Sequence, residues 1–120
     1  MKNHVKRALS ILLIAVMLLS LAACGSKTTF TVITVDLEGK ETTFTVTTDA
    51  DTVGEALEAE GILVGHDAEY GLYIDAVNGI ELDWERDGKY WAFYINGEYA
   101  QTGVDKTDVE DGAVYTFKPE

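Results

Sequence analysis

Hydrophobic and polar residues alternate along two adjacent segments in the first half of the chain. Residues 30–36 and 42–48 are rich in Thr, Val, Ile and Phe, and in the second segment Phe44 and Val46 fall on one side, with threonines on the other. Alternation with a period of two is typical of half-buried β-strands. The short segment around Gly39 between them predicts a hairpin turn.

The pattern changes to a helical period after residue 51. Thr52 and Glu55 have the spacing of a capping box, in which each side chain satisfies a free backbone N–H group at the start of a helix. Gly61 is suited to the left-handed position that ends a helix. We therefore predict a helix over residues 53–60, with an apolar stripe at i, i+3, i+4 spacing formed by Val53, Ala56 and Leu57.

Three turn signals punctuate the second half of the chain. Asp-Gly at 87–88 and Asn-Gly at 96–97 are dipeptides that strongly favour two-residue hairpin turns. A further Asp-Gly at 111–112 predicts a turn before a last strand over residues 113–117. The order of strand, strand, helix and three or four strands predicts the α+β class: a β-grasp-like mixed sheet with one short helix packed on one face.

Two-residue loops at 87–88 and 96–97 fix a register that sorts the side chains onto two faces, because cross-strand partners share a face. Glu85 then pairs with Tyr90, and Tyr94 pairs with Tyr99. The predicted core face beneath the helix holds Leu82 opposite Phe93, Trp84 opposite Trp91, and Ile95. The opposite face collects Glu81, Asp83, Glu85, Tyr90, Ala92, Tyr94, Tyr99 and Gln101.

The open face is the first candidate site. Tyrosine offers apolar area and a hydrogen bond at little entropic cost, and the surrounding carboxylates favour neutral or cationic partners. The alternative is an ordinary wet strand surface, on which tyrosine and acids are common. The residues that we expect to bind a small molecule or a surface protein are Tyr90, Tyr94, Tyr99, Glu81 and Gln101.

A second, weaker candidate is a metal site. Asp83, Glu85 and Asp87, followed by Gly88, resemble the first half of an EF-hand calcium loop, although Tyr94 stands where the loop needs its twelfth-position Glu. Calcium held by these three carboxylates, or a purely structural surface domain, is the alternative to ligand binding. An ordinary charged hairpin also explains the pattern.

Charge and composition exclude several classes of function. The chain has 9 basic and 21 acidic residues and a formal net charge of −12, so it repels phosphate backbones, and we expect no nucleic-acid partner. His66 is predicted to lie in a solvated loop, and no Ser/His/Asp set or phosphate loop can be assembled. We expect a monomer without enzymatic activity.

The first 24 residues have the order of a secretory signal. Lys2, Lys6 and Arg7 precede an uncharged run over residues 8–23, and Cys24 follows Leu-Ala-Ala, which resembles the lipobox of bacterial lipoproteins. The alternative is an ordinary signal or a single-pass helix, for which the run is short. We predict a cleaved signal peptide (1–23), a lipidated Cys24 with a short tether (24–29) and one domain (30–120), anchored by lipid on the outer face of the bacterial cytoplasmic membrane.

The turn glycines and core aromatics of the second half resemble the transcobalamin-like C-terminal domain family, also called DUF4430. The residues that carry the resemblance, after Thr52 and Val53 at the helix start, are Tyr90, Trp91, Phe93, Asn96, Gly97, Gly103, Val109, Asp111, Gly112 and Phe117. The resemblance covers residues 52–120 and implies a β-grasp-type binding module. A corrinoid ligand is implied by the resemblance alone, and metal binding has been suggested for similar proteins.

Overall fold

Two β-sheets and two short α-helices form an α+β domain in the computed structural model, which describes residues 27–120. The predicted signal peptide and Cys24 lie outside these residues. The strands are β1 (Thr28–Val35), β2 (Glu41–Thr48), β3 (Leu63–Ala68), β4 (Gly71–Val77), β5 (Ile80–Glu81), β6 (Trp91–Ile95), β7 (Glu98–Tyr99) and β8 (Val114–Pro119). The helices are α1 (Val53–Ala59) and α2 (Trp84–Asp87), with a 3₁₀ turn at Val104–Lys106.

The larger sheet has the strand order β2-β1-β8-β6-β7. The predicted first hairpin is confirmed: β1 and β2 pair antiparallel without interruption, with Phe30 opposite Val46. On its other side β1 pairs parallel with β8, with Thr31 opposite Val114. The last strand is thereby inserted between the first hairpin and β6, a long-range pairing that local sequence patterns do not specify.

Helix α1 begins at the predicted residue and ends within one residue of its predicted end. The side chain of Thr52 accepts a hydrogen bond from the backbone N–H of Glu55 at 3.3 Å. Gly61 has a φ of +74°, and the N–H of Ile62 donates to the carbonyl of Leu57 at 3.0 Å. Local capping chemistry therefore determines both ends of this helix.

The hydrophobic core contains α1 together with side chains of the larger sheet, as the alternating pattern predicts. Phe93 stacks on Phe117 at a centroid distance of 5.1 Å, and Tyr115 meets the edge of Phe30 at 5.1 Å. Trp91 is only 5% exposed, and its indole N–H donates to the carbonyl of Ile80 at 3.1 Å. Trp91 therefore connects the larger sheet to β5 of the smaller one.

The Asn-Gly turn is confirmed, with Tyr94 opposite Tyr99 and positive φ values at Asn96 (50°) and Gly97 (85°). A turn also forms at 111–112, where Gly112 has a φ of 78°. Strand β8 begins one residue later than predicted and extends two residues further, to Pro119.

The predicted Asp-Gly hairpin at 87–88 is wrong. Residues 84–87 instead form α2, because the Asp83 carboxylate accepts the N–H groups of Glu85 (2.9 Å) and Arg86 (3.1 Å) and so caps a helix. Gly88 ends this helix in the left-handed conformation, with a φ of 63°. The predicted pairings of Leu82, Trp84 and Glu85 with strand β6 are therefore not formed; Phe93 pairs with Phe117, and Trp91 with Pro119.

Trp84 leaves the predicted core as a result, and one residue of the predicted open face is covered. Trp84 is 59% exposed rather than part of the core, whereas Leu82 is buried as predicted. Ala92, predicted on the open face, is completely buried. It lies in β6 opposite Lys118 of β8 and points to the side away from Trp91 and Phe93, because successive side chains of a strand alternate between faces.

The smaller sheet, of order β3-β4-β5, is an addition to the single predicted sheet. β3 and β4 pair antiparallel with an irregularity between Val64 and Gly65. His66 lies in β3 rather than in a loop, and its Nδ1 is 2.7 Å from the Asp75 carboxylate. The domain thus has two sheets and two short α-helices where one sheet and one helix were predicted.

Among the residues that the structure describes, no helix is long and apolar enough to cross a membrane.

Candidate ligand-binding site

Four aromatic side chains, which we call the aromatic face, lie together on the side of the larger sheet away from α1: Trp84, Tyr90, Tyr94 and Tyr99. Trp84 meets Tyr90 edge-on at a centroid distance of 6.2 Å, and Tyr94 meets Tyr99 edge-on at 5.5 Å. Trp84 is 59% and Tyr99 52% exposed, whereas the other two are half-buried. A Trp side chain that is more than half exposed is an exception to the usual burial of large apolar groups, and it marks a candidate contact surface.

Hydrogen bonds hold the phenol groups of this face. The hydroxyl oxygens of Tyr90 and Tyr99 are 3.0 Å apart, and the hydroxyl of Tyr94 donates to the Glu120 carboxylate. The ammonium of Lys118 lies 4.3 Å from the centroid of the Tyr94 ring, within cation–π range. The face is therefore organised before any ligand arrives, which reduces the entropic cost of binding.

The same contacts raise the pKa of two of the phenols. The hydrogen bond with Tyr99 is the main cause that raises the pKa of Tyr90 to about 12. The hydrogen bond from Tyr94 to Glu120, together with burial and the negative carboxylate, raises the pKa of Tyr94 to about 12. Both groups are neutral at physiological pH, so this face offers hydroxyl groups rather than phenolate charge.

A cavity of about 290 Å³ opens beside the aromatic face, between the two sheets. One wall is β4, through Leu72, Tyr73 and Ile74; the other comes from Tyr90 and Tyr99. The volume is near the lower limit of small-molecule sites, and its walls combine apolar and polar groups. The remaining lining residues are Trp91, Phe93, Ala100, Gln101, Thr102, Gly103 and Val104.

The structure brings together most of the predicted binding residues. Tyr90, Tyr99 and Gln101 line the cavity, and Tyr94 lies next to them on the aromatic face. Glu81 is placed elsewhere, opposite Ala76 in the smaller sheet, and is not part of the cavity lining.

Sequence reasoning missed the other wall of the site and the position of Trp84. The β4 wall consists of residues 72–74, whose contribution depends on how the two sheets pack. Trp84 could have been placed from its flanks, because Asp83 before it and Gly88 after it have the spacing of a short capped helix.

The three carboxylates of the calcium hypothesis do not converge. The Asp83 carboxylate caps α2, and the Asp87 carboxylate accepts hydrogen bonds from the Arg86 guanidinium (2.8 Å) and the Asp83 N–H (2.9 Å). The Arg86 contact lowers the pKa of Asp87, and Asp87 in turn raises that of Arg86. Between residues 27 and 120, no group of three or more His, Cys, Asp or Glu side chains is arranged to hold a metal ion.

Comparison with known proteins places the domain in a family. The family described as "Domain of unknown function (DUF4430)" matches residues 50–120. The chain belongs to the DUF4430 family. The match covers the aromatic face and both walls of the cavity, whereas the first hairpin, β1–β2, lies before its start.

Solved structures extend the similarity to that hairpin. A crystal structure of a "putative metal binding protein" from Ruminococcus gnavus ATCC 29149 is 31% identical, with a TM-score of 0.73; the match covers 78% of this chain and 96% of that one. Haptocorrin in complex with Cbi is 16% identical, with a TM-score of 0.67, over 79% of this chain and 25% of haptocorrin. At this low identity the haptocorrin match shows a shared fold. No curated protein sequence matches this chain.

Proposed function

We propose that this DUF4430 domain is a non-enzymatic binding module that takes a small neutral or cationic ligand in the cavity between β4 and the aromatic face. The observation that carries the proposal is the cavity of about 290 Å³ lined by Tyr90, Tyr99 and Gln101 at the margin of an exposed, hydrogen-bonded aromatic face. Rigid aromatic groups next to a few polar ones are typical of recognition surfaces.

The chemistry of the walls indicates how such a ligand is held. The rings of Tyr73, Tyr90 and Tyr99 supply flat apolar area for stacking, and the side-chain amide of Gln101 both donates and accepts hydrogen bonds. The formal net charge of −12 disfavours anionic ligands through long-range repulsion. A ligand with an apolar or cationic ring face and a few hydroxyl or amide groups satisfies these conditions.

The haptocorrin fold supports one particular ligand, a corrinoid, which is larger than the cavity and would therefore lie over its mouth against the aromatic face. Haptocorrin is solved with Cbi, but the match covers only 25% of its length, so the rest of that protein has no counterpart in this match. The order β2-β1-β8-β6 with one parallel pair also supports the β-grasp assignment. We propose the corrinoid as one member of the ligand panel below.

We further propose that the module is displayed at the bacterial cell surface by a lipid on Cys24. The support is the basic start, the uncharged run and the Leu-Ala-Ala-Cys sequence, which lie outside the described residues. Replacement of Cys24 by Ala should release the protein from the membrane fraction. Unchanged membrane association of a processed Cys24→Ala protein would contradict the anchor.

A ligand screen with a matched pair of variants tests the binding site. Thermal shift against corrinoids, neutral saccharides and aromatic amines should identify a ligand that raises the melting temperature. Tyr99→Ser should then weaken binding about tenfold or more, because a stacking wall is lost. Tyr70→Ser is the control, since Tyr70 is 92% exposed and does not line this cavity. Equal effects of the two substitutions would show that the ligand binds elsewhere.

A metal-binding function is the second candidate, because the Ruminococcus gnavus relative is described as a "putative metal binding protein". Calorimetry with calcium tests this candidate, and a Glu85→Gln variant tests whether the segment of Asp83, Glu85 and Asp87 rearranges to hold the ion, since these side chains are not arranged to do so in the structure. Binding heat that disappears in Glu85→Gln would favour it. No heat at millimolar calcium would leave the cavity as the proposed site.

A further inference from the structure

The two sheets have four outer strands, and three of them are protected against pairing with another chain. Strands β5 and β7 have only two residues each, and β3 carries an irregularity after Val64 and the charged residue Asp67. Short edges, charges and bulges are the usual means by which proteins prevent edge-to-edge pairing. Strand β2 has none of these means over residues 42–48, which form a regular run without charge, Gly or Pro.

The backbone of β2 presents unpaired groups outward. The N–H of Thr31 in β1 donates to the carbonyl of Ala113, toward β8 and away from β2. Thr31 lies opposite Thr45, so this pair is a non-hydrogen-bonded one, and the N–H and C=O of Thr45 point to the free side. The same alternation applies to Thr43 and Thr47. In the described part of the chain no strand pairs with this side.

We propose that the outer edge of β2 pairs antiparallel with β2 of a second copy, across a twofold axis at Phe44. In this register Thr43 faces Thr45 of the copy, and Glu41 faces Thr47. The four outward-facing positions then form about eight backbone hydrogen bonds, two for each hydrogen-bonded pair. The two five-stranded sheets join into one continuous sheet.

The partly exposed ring of Phe44 is the reason why we expect the partner to be a second copy of this chain. Its ring is half-buried against the core, whereas the next residue on the same side, Val46, is only 3% exposed. On the twofold axis Phe44 meets its own copy in a non-hydrogen-bonded pair, the closer type, in which aromatic pairs are favourable. The dimer thus covers the apolar surface that the single domain leaves open at this edge.

Charge supports the same choice of partner and register. The chain has a formal net charge of −12, so most faces of two copies repel each other, but residues 42–48 carry no charge. A register centred on Thr45 would place Glu41 directly opposite Asp49 of the copy, and like charges in that position are destabilising. The register centred on Phe44 has no like-charge pair within the strand. Association should therefore strengthen only modestly with added salt.

Cysteine cross-linking tests the register. In the full chain, purified in detergent with Cys24→Ser so that the introduced thiol is the only one, Phe44→Cys should form a disulfide dimer on mild oxidation. Residues opposite themselves in a non-hydrogen-bonded pair are within disulfide distance. Val46→Cys is the control, because it faces Thr42 of the copy and should cross-link at least about tenfold more slowly. Equal cross-linking of both variants, or of neither, would overturn the register.

Sedimentation of a second pair of variants tests the dimer itself. Thr45→Pro removes an outward N–H that makes no bond within the domain, so the fold should tolerate it as edge strands do. It should weaken dimerisation at least about tenfold, because a hydrogen bond is lost on each side of the axis. Thr45→Val keeps the N–H and should dimerise like the parent protein. A parent protein that sediments as a monomer at all concentrations would overturn the proposal.

If Thr45→Pro fails to fold, hydrogen exchange of the unmodified chain tests the dimer instead. The N–H groups of Thr43, Thr45 and Thr47 in the unmodified chain should become protected as the protein concentration rises. Protection that is independent of concentration would show that another part of the same chain covers the edge, and the proposal would be wrong.

Discussion

The two tryptophans give a sharp test of the fold, because the sequence pattern places both in the core and the structure buries only one. Trp91 is 5% exposed and donates a hydrogen bond to the carbonyl of Ile80, whereas Trp84 is 59% exposed. We therefore expect Trp91→Ala to be severely destabilising and Trp84→Ala to be mild. The two variants remove the same side chain, so the comparison isolates burial.

The magnitude follows from the contacts of each ring. Loss of a buried Trp side chain costs about 3–5 kcal/mol in free energy of unfolding, and the hydrogen bond to Ile80 adds about 0.5–1.5 kcal/mol. Trp84 is mostly exposed, and its edge-on contact with Tyr90 is worth about 0.5–1.5 kcal/mol. A domain of this length has a total stability of about 5–14 kcal/mol. Trp91→Ala should therefore remove much of the stability and Trp84→Ala a small part.

Urea and thermal denaturation followed by circular dichroism measure both costs, as a free energy of unfolding and as a melting temperature. Trp91→Ala should lower the melting temperature by on the order of 15–40 °C, and Trp84→Ala by less than about 10 °C. Trp91→Phe keeps a buried aromatic ring but loses the hydrogen bond to Ile80 and part of the indole volume; we expect an intermediate cost of about 1–3 kcal/mol. Similar costs for the two alanine variants would show that residues 82–91 form the hairpin that the Asp-Gly dipeptide predicts, and the described fold of this segment would be wrong.

Substitutions at three further positions probe local features. Gly65→Ala should cost about 1–3 kcal/mol in urea unfolding, because a Cβ at this position would lie 2.6 Å from a backbone carbonyl oxygen of β4; unchanged stability would refute that close approach. Asp83→Ala should cost about 1 kcal/mol and speed amide exchange in α2, and Asp83→Asn should retain the cap; equal exchange in both variants would contradict the capping role. Glu120→Gln should lower the pKa of Tyr94 from about 12 toward 10.0, as seen by tyrosinate absorbance. A group whose pKa is raised in the folded state stabilises the fold below its ordinary pKa, and this stabilisation is lost as the pH rises through the raised pKa. The parent protein should therefore lose stability between pH 10 and 12, and the Glu120→Gln variant should lose less. An identical tyrosinate titration in both proteins would show that Glu120 does not set the pKa of Tyr94.

The elements that the sequence predicts correctly are those fixed by neighbouring residues. The β1–β2 hairpin follows from strict alternation, α1 from its Thr52 cap and Gly61, and the β6–β7 register from the Asn-Gly turn. The interactions that determine α1 and the β6–β7 turn connect residues fewer than about ten positions apart. The β1–β2 hairpin begins at an equally local turn, and its pairing then extends along both strands. Patterns of this kind are local, so a single sequence contains them.

Local sequence patterns do not predict how the strands divide between the two sheets, because this division depends on pairings across the whole chain. β8 inserts beside β1, and β5 pairs with β4 rather than β6. The cavity belongs to the same category: Leu72 and Tyr99 line it together only because the smaller sheet packs against β6 and β7. The sequence therefore predicted one side of the site, the tyrosines, and could not predict the wall that makes it concave.

The segment of residues 83–88, whose predicted hairpin is wrong, also enlarges the candidate site. The prediction failed because two local signals compete in this segment. Asp-Gly at 87–88 favours a two-residue hairpin, but Asp83 offers its carboxylate to two N–H groups, and Asp87 accepts the N–H of Asp83 in return. The helix satisfies these groups at once, whereas the hairpin would leave Asp83 without a capping role. The outcome moves Trp84 from the core to the aromatic face, where it contacts Tyr90. A short polar segment stabilised by its own side chains thus holds a large apolar ring in water, which adds to the surface that we propose for ligand binding.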